Sequence, residues 1–239
     1  LFTEFTDWEV SSPPFPRIPY ADSLMRFGTD KPDLRFGLEM QDLSSLFGDA
    51  DFRVFRQIVE TGGVVRALVI EQGAAQSRRF FTELESWATE AGGAGLAWLT
   101  TTADGFGGPI ARALGQELAT RIVAATDAGE GSAILLFAGP EAATASLGGE
   151  LRLHLADLLS MRQEGVFRFC WIVDFPMYAA DEETGGIDFC HNPFSMPQGG
   201  LQALVEQSPL DILANQYDIV VNGTELSSGA IRNHRSDIM

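Results

Sequence analysis

The sequence predicts one domain that is split by an inserted α/β unit of about 100 residues. The length of 239 residues allows one large domain or two modest ones, and 45% apolar and 21% charged residues are ordinary globular values. Residues 55–163 are rich in Ala and Gly and alternate strand patterns with helix patterns. Residues 1–54 and 164–239 share a different composition, richer in Pro, Phe and charge, so we expect them to be two parts of one domain.

The first part is predicted to hold an extended segment followed by a short helix. Four prolines between positions 13 and 19 exclude a helix there and favour an extended course. Residues 20–28 then have a helical pattern in which Leu24 and Phe27 share a face. Gly28 is expected to end this helix, because glycine is the usual residue just past a helix C-terminus.

The middle part is predicted to alternate strands and helices. Apolar runs predict strands at residues 64–70, 95–101 and 132–138. Helices are expected from an N-cap at Ser77 to residue 91, from Pro109 to residue 125 with an interruption at Gly115, and over 141–159 with a weak point at Gly148 and Gly149. This alternation is typical of an α/β unit.

The last part is predicted to be mainly strands. Residues 166–175 are almost continuously apolar, which favours a strand covered on both faces. A turn is expected at 181–186, and residues 217–223 and 224–226 form two strand segments around a turn. The sequence shows no internal repeat.

Charge and cysteine content restrict the class of protein. A net charge of −17 excludes a basic nucleic-acid footprint at the level of bulk charge, and no apolar run reaches the ~18–20 residues that span a bilayer. Cys170 and Cys190 lie in apolar company, so we expect buried, unreactive thiols and a reducing compartment. The chain starts at Leu1 without a signal-peptide pattern or an initiator Met, and we expect it to be part of a longer protein.

A few polar residues stand in patterns that suit chemistry. Asp218 and Glu225 flank an Asn-Gly turn signal, and two carboxylates at the ends of neighbouring strands can hold Mg²⁺ together with substrate phosphates. Arg232 follows small residues, which leave room for a ligand carboxylate that a guanidinium can grip with two hydrogen bonds. From spacing alone, a surface hairpin with scattered charge remains the alternative.

Other candidates are less specific. His191 lies in a Pro-bounded loop, where a binding side chain and a hydrogen-bonded core histidine are equally compatible with the pattern. Lys31 is the only lysine among sixteen basic residues. The Gly-rich residues 105–109 lack the Lys-Ser/Thr of a P-loop and the spacing of a dinucleotide fingerprint, so we expect a structural loop.

Four ordered segments resemble the bacterial-type aspartyl-tRNA synthetases. The most specific is YDIVVNGTELSSGAIR at 217–232, which resembles that family's Y-D-x-V-x-N-G-x-E-x-x-x-G-x-x-R segment. The others are FPRIPYA at 15–21, TDKPDLR at 29–35, and WIVDFP at 171–176 followed by HNPF at 191–194. The middle part resembles the family's inserted domain, and a similar insert occurs in the B subunit of tRNA-dependent amidotransferases.

The resemblance implies an α+β fold, namely part of a class II synthetase antiparallel-sheet core interrupted by an α/β insertion domain. Residues 1–54 and 164–239 would be the two parts of the catalytic core, and residues 55–163 the insertion domain. The implied reaction joins L-aspartate and ATP into aspartyl-adenylate and then transfers the aspartyl group to tRNA(Asp), with tRNA(Asn) left open.

The resemblance also implies roles for four residues. Asp218 and Glu225 match the carboxylates that hold the Mg²⁺ bound to ATP, and Glu225 is also an ATP-binding residue. Arg232 matches the arginine that grips the side-chain carboxylate of aspartate, and His191 the histidine that approaches the bound amino acid. Glu225, Arg232 and Asp218 are therefore the expected catalytic residues. The motif around Lys31 matches too, without implying a role for it.

Departures and missing parts shape the remaining expectations. Ser227 and Ser228 stand where many relatives have glycine, and Asn192 where many have a second histidine. The anticodon-binding barrel, the first two class II motifs and the arginine of the third are not in this sequence, so we expect it to be inactive alone. The complete enzyme is expected to be a cytoplasmic homodimer without a membrane partner. The alternatives are a non-catalytic tRNA- or protein-interaction module and a class II ligase for asparagine or lysine.

Overall fold

A computed structural model of the chain describes residues 1–181 and 184–238. The helices are α1 (Phe2–Phe5), α2 (Tyr20–Phe27), α3 (Ser44–Phe47), α4 (Arg53–Glu60), α5 (Arg78–Glu90), α6 (Ala111–Thr126), α7 (Glu141–Leu158) and α8 (Gly200–Glu206). The strands are β1 (Glu9–Val10), β2 (Arg17–Pro19), β3 (Gln41–Asp42), β4 (Val64–Ile70), β5 (Ala97–Thr102), β6 (Gly105–Gly107), β7 (Ala133–Gly139), β8 (Val166–Phe167), β9 (Phe169–Pro176), β10 (Tyr178–Ala180), β11 (Ile187–Phe189), β12 (Leu213–Val221) and β13 (Thr224–Ala230). Of the helices in these ranges, none combines the length and hydropathy needed to cross a bilayer.

The chain folds into two compact units. The first unit comprises residues 1–24, 30–36 and 162–239, and the second comprises residues 25–29 and 37–161. Residues 37–54, which composition groups with the first part, lie in the second unit, because β3 pairs with β4 and Phe47 is fully buried in that unit's core. The division into a catalytic core and an insertion domain stays a prediction.

The first unit contains a four-stranded sheet in the order β13-β12-β9-β2. Its neighbours are antiparallel, except that β2 runs parallel to β9. The central strand β9 buries Cys170 and Ile172 on one face and Val173 and Phe175 on the other. The prediction of a strand covered on both faces is therefore confirmed.

Two short strand pairs complete the first unit. β1 pairs with β8 in parallel, and β10 pairs with β11 in an antiparallel hairpin. The turn expected at 181–186 joins that hairpin, and residues 182 and 183 of it lie outside the described residues.

The second unit contains a five-stranded sheet in the order β3-β4-β7-β5-β6, and every neighbouring pair is antiparallel. The strands alternate with helices as the pattern predicts. The helix α5 links β4 to β5, which run in the same direction because each is antiparallel to β7. The strand β7 lies between them, so the crossover is a split β-α-β unit rather than a pair of adjacent parallel strands.

Helices cover both faces of this sheet. One buried cluster joins β4 and β7 to α3, α4 and α6, and a second joins the other faces of the same strands to α5 and α7. Along β7, Ile134 and Leu136 enter the first cluster, while Leu135 and Phe137 enter the second. This follows from the two-residue period of a strand. The predicted α+β class, with antiparallel sheets, is confirmed.

The predicted helix boundaries are largely found, with one informative difference. The Ser77 hydroxyl caps α5 by accepting from the backbone N–H of Phe80 at 3.2 Å, and α6 is interrupted at Gly115, whose φ is +72°. The helix α7 continues through Gly148 and Gly149, where the sequence predicts a weak point. A Cβ at Gly149 would lie 2.9 Å from the carbonyl oxygen of Phe27, so this glycine permits a close backbone contact.

Candidate functional site

The hairpin of β12 and β13 carries the two predicted carboxylates. Its turn is Asn222-Gly223, with φ of +50° and +83°, which suits the tight turns that join antiparallel strands. The Asn222 side chain fixes this turn by accepting from the Arg168 N–H at 2.9 Å and donating to the Val166 carbonyl at 2.8 Å. The hairpin is therefore held at its turn by hydrogen bonds to the segment around β8.

A β-bulge brings Glu225 to the same face as Asp218. Asp218 lies opposite Ser228, and residues directly opposite each other project to the same side of a sheet. Glu225 is three residues from Ser228, so in a regular strand it would project to the other side. The pairing register shifts between Ile219 and Val220, and Val220 lies opposite Glu225. The extra residue in β13 thus places both carboxylates on one face.

That face lines an open cleft of about 540 Å³ in the first unit. The cleft is lined by Asp30, Lys31, His191, Asn192, Pro193, Phe194, Gln216, Asp218, Glu225, Ser228 and Arg232. All four predicted site residues, His191, Asp218, Glu225 and Arg232, are brought together here. Their chemical roles remain predictions.

Asp218 is the buried carboxylate of the cleft. Its side chain is 4% exposed, and its Oδ1 atom has no hydrogen-bond partner among residues 1–181 and 184–238. Burial raises the pKa of Asp218, and the negative charges of Glu225 and Asp30 add to this, while a hydrogen bond from Ser228 and the charge of Lys31 oppose it. A buried carboxylate oxygen without a partner is a costly arrangement unless a cation or donor binds there.

Glu225 and Asp30 share a lysine. The Lys31 Nζ atom lies 3.0 Å from Asp30 Oδ2 and 3.5 Å from Glu225 Oε2. Burial acts to lower the pKa of Lys31, but the hydrogen bond and charge of Asp30, and then those of Glu225, raise it overall. Lys31 is therefore a protonated ammonium placed between two carboxylates.

The loop after β11 closes the other side of the cleft. Asn192 Oδ1 accepts from the Phe194 N–H at 2.9 Å and from Arg232 Nη1 at 3.2 Å. Ser195 also forms an antiparallel bridge with Arg232, and Met196 N–H donates to the Ile231 carbonyl at 2.7 Å. Arg232 is thus tied to this loop through both its backbone and its side chain.

His191 lies at the start of this loop in the left-handed region, with a φ of +58°. Its ring packs edge-on against Tyr20 and Phe175, with centroid distances of 5.4 and 5.0 Å. The ring is therefore oriented by aromatic neighbours while it lines the cleft. By contrast, His154 lies in the second unit, where its ring stacks on Trp87 at 4.5 Å.

The donor set of the cleft suits a hard divalent cation. Mg²⁺ prefers oxygen ligands and is usually held by one or two carboxylates together with substrate phosphates. The partnerless Oδ1 of Asp218 and the nearby Glu225 provide two such carboxylates. In the described ranges, no group of three or more His, Cys, Asp or Glu side chains is arranged to hold a metal alone. The two carboxylates therefore fit a metal that arrives with further ligands.

Two residues of the cleft were not singled out by sequence reasoning. Gln216 is 6% exposed, its Oε1 atom has no partner among the described residues, and it lies two positions before Asp218. The two-residue period of β12 puts it on the same face, so parity along the strand is the signal that finds it. Asp30 lies on an irregular loop, so strand parity does not find it, and its signal is that it belongs to the segment 29–35 that resembles the family.

The remaining sequence predictions lie outside the cleft. Residues 105–107 form β6, and Gly108 packs against Trp98, where a Cβ would lie 2.8 Å from the Trp98 carbonyl oxygen. Cys170 is fully buried and Cys190 is half-buried, and both are free thiols. Burial raises the pKa of both, to about 12 for Cys170.

Comparison with known proteins gives a consistent match. A family model described as tRNA synthetases class II (D, K and N) matches residues 1–239. The chain is 48% identical over 240 residues to the aspartate–tRNA(Asp/Asn) ligase of Zymomonas mobilis subsp. mobilis, and 50% identical over 240 residues to the aspartate–tRNA ligase of Streptomyces griseus subsp. griseus. It is 46% identical over 241 residues to the aspartate–tRNA(Asp/Asn) ligase of Erythrobacter litoralis. Each match covers 100% of this chain and 39–40% of the relative, so the chain spans about two fifths of the length of these relatives.

Proposed function

Because the chain belongs to the class II tRNA synthetases of the D, K and N type, we propose that it is the part of an aspartate–tRNA ligase that holds most of the aspartate site and the metal-binding carboxylates. The complete enzyme would join L-aspartate and ATP into aspartyl-adenylate and pass the aspartyl group to tRNA(Asp). The observation that carries this proposal is the single cleft in which Asp218, Glu225, His191 and Arg232 meet. Three of the segments that resemble the family, at 29–35, 191–194 and 217–232, are distant in sequence and each contributes residues to this cleft.

Arg232 is proposed to select the substrate. A guanidinium presents a planar fork of donors that matches a carboxylate. The hydrogen bond that Arg232 donates to Asn192, together with the Ser195 bridge, holds this fork at the cleft. An aspartate side chain meets this cation favourably, whereas a lysine side chain would be repelled and an asparagine side chain would gain no charge pairing. His191, which lines the same cleft, is proposed to contact the bound amino acid as well.

Asp218 and Glu225 are proposed to hold Mg²⁺ that arrives with ATP, with Glu225 also facing the nucleotide. When bound, the metal would neutralise negative charge on the phosphates. The bulge in β13 matters here, because it aims both carboxylates into one space. Gln216 and Ser228 lie on the same face and offer neutral polar groups to the ligand.

The proposed first step needs positioning more than acid–base chemistry. An oxygen of the aspartate α-carboxylate attacks the α-phosphorus of ATP, the bond from that phosphorus to the bridging oxygen breaks, and pyrophosphate leaves. A terminal ribose hydroxyl of tRNA then attacks the activated carbonyl carbon, and AMP leaves. The described part of the chain would contribute to the first step by fixing aspartate through Arg232 and the nucleotide through Asp218 and Glu225.

The tRNA specificity, the oligomeric state and the location are proposals about the complete enzyme. Relatives named aspartate–tRNA ligase and relatives named aspartate–tRNA(Asp/Asn) ligase match the chain about equally well, at 50% and 48% identity. We therefore propose tRNA(Asp) as the substrate that both kinds share. A cytoplasmic location is the corresponding proposal for the whole protein, since its substrates are those of protein synthesis. The proposal of a homodimer rests on the family resemblance alone.

The test is amino-acid-dependent ATP–pyrophosphate exchange by the full-length parent protein, with the 239-residue chain measured beside it. Exchange with aspartate only, and none from the 239-residue chain, is expected. Absence of exchange with every amino acid would refute the enzyme and favour the non-catalytic interaction module.

A substitution tests the role of Arg232 within that assay. Arg232→Lys in the full-length protein keeps the charge but replaces a guanidinium, which can bind a carboxylate in a bidentate manner, by a single ammonium. We expect the KM for aspartate to rise about thirtyfold, which corresponds to about 2 kcal/mol. Arg235→Lys is the matched control, because Arg235 pairs with Asp237 and does not line the cleft. Unchanged aspartate kinetics in Arg232→Lys would remove this residue from the site.

A further inference from the structure

The cleft contains more negative charge than its two proposed metal ligands supply. Asp30, Asp218 and Glu225 line it together, and Arg232, which also lines it, donates a hydrogen bond to Asn192. Like charges in such proximity repel one another, and Asp218 is also largely removed from water. The cleft therefore needs a cation near these carboxylates whether or not a metal is bound.

Lys31 supplies that cation. Its Nζ atom lies 3.0 Å from Asp30 Oδ2 and 3.5 Å from Glu225 Oε2, so it bridges a residue of its own loop and one proposed metal ligand. The contact with Asp30 is a hydrogen bond, whereas 3.5 Å to Glu225 is a looser ion pair. The ammonium can therefore leave Glu225 and keep Asp30 as its partner.

The loop that carries Lys31 is held firmly. Asp33, at 4% exposure, accepts from Arg35 Nη2 at 2.6 Å and lies 3.4 Å from Arg162 Nε. The Asn222-Gly223 turn of the β12–β13 hairpin packs on the same loop, since a Cβ at Gly223 would lie 3.5 Å from Asp33 and 3.8 Å from the Lys31 carbonyl oxygen. The ammonium is thus brought to Glu225 by a fixed backbone and a flexible side chain.

We propose that Lys31 is the resident counter-ion of this cleft, which neutralises Glu225 in the metal-free protein and moves away from it when the metal–nucleotide complex binds. The inference rests on the proposed function for the metal, but the role of Lys31 goes beyond it. Lys31 is a positioning residue in this account, since it acts on Glu225 and touches no reacting atom. The side chain is 39% exposed, which leaves it room to withdraw.

This proposal has a definite sign. A lysine that competes with the metal for Glu225 weakens metal binding, so its removal strengthens metal binding. A lysine that merely held Glu225 in place would have the opposite effect, because a released Glu225 side chain would bind the metal less well. The two possibilities are therefore separated by the direction of one measured change.

The experiment measures Mn²⁺ binding, without nucleotide, to the full-length protein by the electron paramagnetic resonance signal of free Mn²⁺. The variants are Lys31→Met, Lys31→Arg and Asp218→Asn. Arg79→Met is the control for overall charge, because Arg79 is 85% exposed on α5 and pairs with Glu83 of the same helix. The Mn²⁺ binding that is lost in Asp218→Asn is the fraction that binds in the cleft, and we call it the Asp218-dependent site.

We expect Lys31→Met to bind Mn²⁺ about tenfold more tightly at the Asp218-dependent site, the order expected when a monovalent cation about 5 Å from a divalent one is removed in water-like surroundings. Lys31→Arg and Arg79→Met should bind as the parent does. Thermal unfolding gives a second readout. Without metal, Lys31→Met should have a lower melting temperature than the parent. Added MgCl₂ should raise the melting temperature of Lys31→Met by more than it raises that of the parent.

Three results would overturn the proposal, and they differ in what else they overturn. Asp218-dependent binding that is unchanged or weaker in Lys31→Met would overturn the role of Lys31 alone. Mn²⁺ binding that Asp218→Asn leaves intact would overturn the metal assignment in the proposed function, and the role of Lys31 with it. A Lys31→Arg variant that behaves like Lys31→Met would also refute it, since the charge would then be irrelevant.

Discussion

The close contact between α7 and the turn after α2 can be tested by adding one methyl group. In Gly149→Ala the new Cβ would lie 2.9 Å from the Phe27 carbonyl oxygen and 3.1 Å from the Gly28 carbonyl oxygen. Both obstacles are backbone atoms, and Gly28 is itself held at a φ of +70°. Neither atom can move aside by a simple side-chain rotation, so the helix and the turn must separate.

The magnitude follows from two opposing effects. Alanine in place of glycine inside a helix contributes about 1 kcal/mol of stability. Overpacking against fixed neighbours costs about 1–3 kcal/mol. We expect the clash to dominate, so that the free energy of unfolding falls by about 1 kcal/mol in Gly149→Ala.

Gly48→Ala is the matched control in the same unit. Gly48 has helical dihedral angles, φ −55° and ψ −44°, and a Cβ added there would have open space, with no atom of the described residues beyond its chain neighbours within 4 Å. There the substitution should raise stability by about 0.4–1 kcal/mol, because it only restricts the unfolded chain. The two variants should therefore differ by about 1.5–2 kcal/mol, in opposite directions from the parent.

The assay is urea denaturation of the chain, followed by tryptophan fluorescence, with each variant measured beside the parent. A shift of the midpoint without a change in slope reports a change in stability. If Gly149→Ala proved as stabilising as Gly48→Ala, the tight contact between α7 and the turn after α2 would be wrong. An unchanged Gly149→Ala together with a stabilised Gly48→Ala would mean that the turn relaxes at little cost.

Three further predictions concern single side chains. Because burial raises the pKa of Asp218 in the folded state, its ionisation costs nothing below the ordinary aspartate pKa of about 3.9, costs stability increasingly above it, and reaches its full cost once the pH exceeds the folded pKa. Asp218→Asn should therefore stabilise the metal-free chain by about 1 kcal/mol at pH 7 in urea denaturation, and an equal gain at pH 3 would contradict this reasoning. Ser77→Ala removes the cap on the Phe80 N–H and should cost about 1 kcal/mol in the same assay, whereas Ser77→Asp should retain most of the stability. Burial raises the pKa of Cys170 to about 12, so iodoacetamide at pH 8 should label it only after unfolding. Mass spectrometry measures the labelling of Cys170, and the labelling of half-buried Cys190 in the same sample serves as the internal comparison.

Much of the fold could be predicted because local patterns decide it. The strand at 64–70, the capped helix after Ser77 and the interruption at Gly115 all follow from periodicity, capping or glycine geometry, and they are found. The order of strands in the second unit could not be predicted from the sequence. Nothing local to residues 133–139 specifies that β7 lies between β4 and β5, which run in the same direction. Long-range pairing decides that arrangement.

The same division applies to the candidate site. The carboxylates and Arg232 were found from spacing and from the resemblance, and the structure brings them into one cleft. Their shared face depends on the register shift beside Val220, and no residue pattern marks that bulge. Gly148 and Gly149 are the opposite case, because the sequence identifies both positions without ambiguity. Whether these glycines weaken the helix or allow a close backbone contact depends on what packs against them, which the local sequence does not specify.

The parallel pairing of β2 with β9 has a consequence for synthesis on the ribosome. Arg17 of β2 finds its partner Trp171 only after roughly 150 further residues have been made, at about 5–20 residues per second. Throughout that interval β2 has no neighbour in its final sheet, while the strands of the second unit emerge and can pair with one another. The order of emergence therefore favours completion of the second unit first. Until β9 appears, the strand β2 depends on protection from aggregation.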